Sequence, residues 1–521
     1  MKKICLFALG LMFACNSSQK TVSENPSTGT QQGPDLSITY AHTITQDELK
    51  EHLYTYASDE FEGRETGKPG QKKAVEYLKA QYEAMGIPAA KADGDYFQKV
   101  PLEVTSVPNG SIRINNTTFP LGEDAVTFTV AHGDYNEIIY VGYGVEDDNY
   151  SDYTGLDVNG KVVLIKSGEP ANADGTYVVT GTDQKSVWGS MSDGMEKKAN
   201  LAIDKGARGI LYYDSLNYPR YQGYFDFMKT NTTGKMELAG DNSEVFLIML
   251  NEKSATTLKK DIDVNATPEK ITVDLKLSVE SGNEKIDSEN VIAVLKGSEK
   301  PDEYVIISSH LDHIGVNANG DINNGADDDG SGTVALLEIA QAFKQAADAG
   351  HGPKRSIVFL HVTGEEKGLL GSRYYTDVDP IFPLHETVAD LNIDMIGRID
   401  PNRNGDRNYI YLIGSDKLST ELHNLSEEVN KKYAHLELDY KYNDESDPNR
   451  FYYRSDHYNF AKNNIPIIFY FNGTHADYHR PGDTPDKINY DLLENRSRLI
   501  FHTAWEVANR PNKVLVDKPI E

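Results

Sequence analysis

The chain has 521 residues, with 80 acidic against 52 basic side chains, a formal net charge of -28 and a sequence pI near 4.9. That length accommodates roughly two to four domains, and 39% apolar with 25% charged residues suits a globular body. The acidic balance disfavours a nucleic-acid partner, which calls for clustered positive charge. No run of about 18 uncharged apolar residues is present to span a bilayer, and the two cysteines, Cys5 and Cys15, exclude a disulfide framework or a thiolate-bound metal in the folded body.

Lys2 and Lys3 precede a short apolar run over 4–14, the layout of a secretory signal. The tract that follows, rich in Ser, Thr, Gln, Pro and Gly, cannot bury a core, so 16–40 reads as a flexible tether. Ala14 followed by Cys15 resembles the end of a bacterial lipoprotein signal. The resemblance implies a signal over 1–15, acylation of Cys15, and export to a bacterial cell envelope on a lipid anchor.

Val75, Leu78, Tyr82 and Met85 recur at helical spacing and predict a helix over 71–85, closed by Gly86. A polar loop with two glycines, 58–67, precedes it, and turn-punctuated apolar segments between 100 and 128 read as strands. The texture changes over 131–275. Strands are expected at 137–141, 161–166, 209–213 and 245–250 and a helix at 196–205, with no cluster of His, Asp and Glu fit to hold a metal. This stretch reads as an inserted, smaller β-rich domain, and its strand pattern and the segment 205–210 resemble a protease-associated domain.

From 290 onward strands and helices alternate. Strands are expected at 304–309, 355–362 and 388–393, with helices at 333–346 and 368–375. Near-continuous apolar strands separated by helices predict an α/β fold with a mostly parallel sheet covered on both faces. One such domain is expected from two stretches, 41–130 and 276–521. In sheets of this kind ligands bind beyond the carboxyl ends of the strands, which directs attention to the loops after Ser309, Val362 and Ile393.

Those loops hold His310, Asp312 and His313; Glu365 and Glu366; and Asp394. A glycine-rich segment with Asp327, Asp328 and Asp329 opens the 333–346 helix, and His475 and His479 lie near the C-terminus. Singly, each residue is an ordinary strand-end or turn residue. Together they are a nitrogen and oxygen ligand set without thiolate, suited to one or two zinc-like ions. Two metals require a bridging carboxylate, for which an Asp in a glycine-rich loop is placed, plus one His and one further carboxylate each. Adjacent Glu365 and Glu366 point in different directions, so one can ligate while the other takes a proton from water. Asp312, two residues past His310, can accept a hydrogen bond that orients the ring. Chemistry alone does not separate His475 from His479.

Taken in this order the motifs resemble the di-zinc aminopeptidases of metallopeptidase family twenty-eight, over about 43–99 and 290–509, including the 58–67 loop. The resemblance implies two Zn2+ per chain in a zinc-exopeptidase fold. His310 and Asp394 would hold one ion, Glu366 and His479 the other, with Asp328 bridging and Glu365 as general base and acid. It favours His479 because the family's ligand precedes residues matching 480–484, and it implies a cis peptide between Asp328 and Asp329, which is uncommon. Asp329 joins Asp312 behind the ligands, and His313, His457 and His475 become pocket residues or stand behind the ligands. The segment 454–457 matches another family segment near the substrate, and Tyr452 or Tyr453 is a candidate donor to the oxyanion. The implied activity is removal of N-terminal residues from peptide substrates. Two rivals stand beside it. One is a single-zinc glutaminyl cyclase, carboxypeptidase or dipeptidase in the same fold. The other is a non-catalytic binding protein of the transferrin-receptor kind.

Overall fold

The computed structural model describes residues 35–148, 150–190, 193–230, 234–240 and 245–520. The expected signal over 1–15, Cys15 and most of the tether lie outside the described residues. No helix among them is long and apolar enough to cross a membrane.

A nine-stranded sheet forms the larger unit. Its centre is four parallel strands in the order Arg355–Val362, Lys300–His310, Thr387–Ile393 and Ile467–Phe471. These segments are apolar on both faces because both faces are covered. Val305, Ile307, Phe359 and Leu391 pack with helices that include Gln46–Tyr56, Pro69–Met85, Gly332–Asp348 and Tyr490–Asn509. The alternate residues Ile306, Val358 and Leu360 pack on Tyr375 and Phe460 from short segments on the other face. Outside this centre the sheet turns antiparallel, with Asn283–Leu295 on one side and Tyr409–Ile413 on the other, so the sheet is mixed with a parallel heart.

The second unit is built on an eight-stranded sheet, which also contains parallel neighbours, Val162–Lys166 beside Gly209–Tyr213 beside Phe246–Leu250. Its extent differs from the 131–275 read from composition. Asn109–Ile114 and Thr117–Pro120 pair into this sheet, and Glu269–Glu280 runs five residues past the expected end at 275. The reason is packing: Ile112, Ile114 and Phe119 share one core with Leu275 and Leu277. Conversely Lys235–Leu238, from within that stretch, pairs with Phe97–Thr105 at the edge of the nine-stranded sheet.

Two long antiparallel strand pairs join the units. Phe97–Thr105 lies along Asn283–Leu295 in the first sheet, and Asn109–Ile114 along Glu269–Glu280 in the second. At the crossing the Ser106 N–H donates to the Gly282 carbonyl at 2.9 Å, and the Gly282 N–H donates to the Ser106 hydroxyl at 2.9 Å. The insertion therefore begins and ends at one place on the larger sheet, with Lys235–Leu238 the one strand of the inserted stretch, among the described residues, that returns to it.

Candidate metal centre

Parallel strands deliver their carboxyl ends to one edge of the sheet. His310 is the last residue of Lys300–His310, and Asp394 follows Thr387–Ile393. Glu365 and Glu366 lie three and four residues past Arg355–Val362. Asp328 sits in the turn Ala326–Ser331 that opens Gly332–Asp348, and its peptide to Asp329 is cis. His479 comes from the loop after Ile467–Phe471.

These side chains converge. His310 Nε2 is 3.2 Å from Asp328 Oδ1 and 3.6 Å from Asp394 Oδ1. The other oxygen of the same carboxylate, Asp328 Oδ2, is 3.1 Å from His479 Nε2, which is also 3.1 Å from Glu366 Oε2. His313 Nδ1 lies 2.8 Å from Glu366 Oε1 and 3.8 Å from Asp328 Oδ2. Two groups with ligand atoms within 4.8 Å of one another result, His310–Asp328–Asp394 and His313–Asp328–Glu366.

The donor atoms fit a metal. His310 Nδ1 donates to the Asp312 carbonyl at 3.0 Å, which leaves the Nε2 lone pair facing the carboxylates. Among the described residues, buried His310 Nε2 and Asp328 Oδ2 have no aligned hydrogen bond. Without a cation the imidazoles supply the positive charge. Burial opposes protonation of His479, but Asp328 and Glu366 outweigh it and raise its pKa to about 10. Burial and Asp328 push Glu366 up, yet hydrogen bonds from His313 and His479 hold it at about 2.

A frame of backbone hydrogen bonds places the ligands. Asp329 Oδ1 accepts from the Gly332 and Met395 N–H groups, both at 3.0 Å, and Oδ2 from the His310 N–H at 3.2 Å, tying three ligand loops to one carboxylate. Asp483 Oδ2 accepts from the N–H groups of Asp327 at 2.9 Å and Asp328 at 3.1 Å. Asp312 acts differently from its expected role. Its carbonyl, not its carboxylate, holds the His310 ring, while the carboxylate accepts from the Thr66 hydroxyl at 2.7 Å and the Glu365 N–H at 3.2 Å. The 58–67 loop contributes Arg64, buried and stacked on Tyr56. Its guanidinium donates to the carbonyls of Leu311 at 3.2 Å, Tyr56 at 3.2 Å, Asn324 at 2.7 Å and Gly325 at 2.8 Å.

Beside the ligands is a pocket whose wall combines Glu365, Asp328 and Asp394 with Met395, Phe451 and Phe469. Tyr452 and Tyr453, the tyrosines singled out as oxyanion donors, are not on this wall. Tyr478 is, stacked on His479 with ring centroids 3.9 Å apart. The sequence signal for it was its place beside a ligand histidine. His313, expected in the pocket or behind the ligands, faces Glu366 and Asp328 directly; its signal is a second imidazole three residues beyond His310. His457 is a core residue, stacked on Phe469 at 4.6 Å and held low near a pKa of about 3 by burial. His475 stands behind the centre, 3.2 Å from Asp327 Oδ2.

The family model that matches is Peptidase family M28. It covers residues 290–504. The chain is 32% identical over 227 residues to leupeptin-inactivating enzyme 1 of Streptomyces exfoliatus, covering 39% of this chain and 45% of that protein. It is 28% identical over 233 residues to leucine aminopeptidase 2 of Arthroderma otae, covering 39% and 42%. The chain thus spans less than half the length of these curated relatives. Among solved structures, an aminopeptidase from Aneurinibacillus sp. strain AM-1 aligns at 21% identity, covering 93% of this chain and 98% of that one with a TM-score of 0.48. A zinc aminopeptidase from Bacillus subtilis aligns at 16% identity, covering 91% and 98% with a TM-score of 0.46.

The Arg64 contacts generate a stability prediction. Replacing Arg64 by Lys removes the fork that reaches four carbonyls, and leaving buried carbonyls unpaired costs roughly 2–4 kcal/mol of unfolding free energy. A urea titration of Arg64→Lys reads this as a lowered midpoint; an unshifted midpoint contradicts the assigned role.

Proposed function

We propose that this protein is a zinc-dependent aminopeptidase with two metal ions per chain. The observation that carries the reading is the placement of the two oxygens of Asp328, one in each imidazole–carboxylate group, beside a pocket that also holds Glu365. One ion would be held by His310, Asp328 and Asp394, the other by Asp328, Glu366 and His479 with His313 close enough to join them. Bound there, zinc supplies Lewis acidity that activates water and polarises a carbonyl.

The chain's own groups account for the rest. Glu365 takes a proton from the attacking water on its carboxylate and delivers it to the leaving amine nitrogen. Burial, opposed by His310 and reinforced by Asp394, Glu366 and Asp456, pushes the Glu365 carboxyl up in the protein chain alone. Burial, followed by the surrounding carboxylates, also raises the Tyr478 phenol, which stays protonated and able to donate to the developing oxyanion. The carboxylates on the wall favour a substrate that brings a free α-ammonium. Met395, Phe451 and Phe469 offer its first side chain an apolar surface. The second unit is proposed as a protease-associated-like domain, and the whole as an exported, lipid-anchored envelope protein.

Zinc-loaded protein is expected to cleave an aminoacyl anilide and free-amino peptides, to spare their N-acetylated forms, and to stop with chelator. Metal analysis is expected to find about two zinc ions per chain; one ion would favour the single-zinc alternative, and cleavage of acetylated peptides would remove the aminopeptidase assignment. Glu365→Gln should lower kcat by about 10²–10⁴ while zinc content stays near two. Retention of a near-normal kcat would end the role given to Glu365. His313→Ala should weaken zinc binding by about 10–100-fold, read by calorimetric titration of metal-free protein, and an unchanged affinity would leave His313 as packing alone.

A further inference from the structure

Between the two units lies a groove of about 790 Å³ that the metal centre does not use. One wall is the helix Asp193–Asp204 with Trp188 from the turn before it; the other is the 445–453 segment of the larger unit. The 450–454 turn belongs to both cavities. Phe451 and Arg454 face the catalytic pocket, while Arg450 and Tyr453 face the groove.

A row of rings links the two. Phe469 on the pocket wall stacks on His457 at 4.6 Å, His457 meets Tyr452 at 5.7 Å, and Tyr452 meets Tyr453 at 5.1 Å. His457 and Phe469 are buried, so the row is packing that ties the two walls together rather than a track open to peptide. Glu196 on the far wall is close enough to raise the pKa of Tyr458, which follows burial and Tyr453 in that effect. The distal groove carries exposed Glu196, Asp204 and Glu445. Its two basic side chains are occupied with aromatic faces, Lys197 over Trp188 at 4.1 Å and Arg450 over Tyr453 at 4.9 Å.

We infer that this groove is an extended subsite for the leaving side of the peptide, selecting substrates that carry Lys or Arg beyond the residues held at the metal centre. The inference rests on the aminopeptidase reading. Aromatic walls hold the peptide backbone and aliphatic stems, and the carboxylates meet the cationic heads. The two units therefore read different parts of one substrate.

The test compares ten-residue peptides with identical first four residues and Lys-rich, neutral or Glu-rich tails, using zinc-loaded full-length protein at low and high salt. The Lys-rich tail is expected to show a KM about 5–10-fold below the Glu-rich one at low salt, with the gap closing as salt screens the groove. Glu196→Gln with Glu445→Gln, each preparation normalised to its own turnover of an aminoacyl anilide, should shrink the gap by at least half. Equal KM values for all tails would overturn the inference. So would a gap that survives intact in the double variant, because the net charge of -28 would then explain it without the groove. Failure to cleave the anilide would instead strike the aminopeptidase reading.

Discussion

Asp328 is one carboxylate asked to face two ways, and the architecture around it follows from that demand. Its Oδ1 is 3.2 Å from one imidazole and its Oδ2 3.1 Å from another, with Asp394 and Glu366 completing opposite sides. Carboxylates this close and this buried repel one another and lose hydration, a cost that only nearby positive charge offsets. The acids around His310 and His479 favour their charged forms and burial opposes them, so protonation of these imidazoles is one source of that charge. Divalent cations would do the same task with more charge in less space, which is why the donor set makes sense as a metal centre.

The frame that aims the ligands is made of bonds that do not depend on the ligands' charge. Asp329 and Asp483 accept from backbone N–H groups of the ligand loops, and Arg64 donates to the carbonyls on either side of the centre. Backbone groups occupy fixed positions once the strands pair, so a carboxylate that accepts from two or three of them is itself fixed. Asp312 shows the economy of this arrangement: its carbonyl sets the His310 tautomer and its carboxylate holds the Glu365 backbone. The same residue thus couples a ligand to the proposed base.

How much of this was legible in the sequence depended on the kind of signal. The central strands could be read because a segment such as 355–362 is apolar on both faces, which demands cover on both. The ligand loops could be read because parallel strands must end at one edge, where His310, Glu366 and Asp394 then meet. What could not be read was anything decided by partners distant in sequence. The insert begins near Asn109 because Ile112 and Phe119 share a core with Leu275, more than 150 residues away, and local composition carries no trace of that pairing. Asp483 was visible as part of a motif, but its acceptance of two N–H groups from the Asp328 loop was not. Tyr478 could not be read, nor the full closeness of His313 to the ligands, for a different reason. Each lies next to a more conspicuous residue, and only coordinates tell which side chain of a neighbouring pair turns inward.

The two sheets also bear on how a site of this kind is kept selective. In the proposed reading, the centre at the sheet edge recognises features common to every free amino end: an ammonium, a carbonyl and one side chain. Discrimination among longer peptides has to come from elsewhere in the molecule. Here the antiparallel crossing at Ser106 and Gly282 anchors the second unit by two adjacent strands, a connection stiffer than a single linker because paired strands resist bending together. Such an anchor holds the helix Asp193–Asp204 opposite the 450–454 turn, whose residues alternate between pocket and groove. If the groove takes substrate as proposed, a side chain bound there lies one short turn away from the wall of the pocket beside the metal ligands.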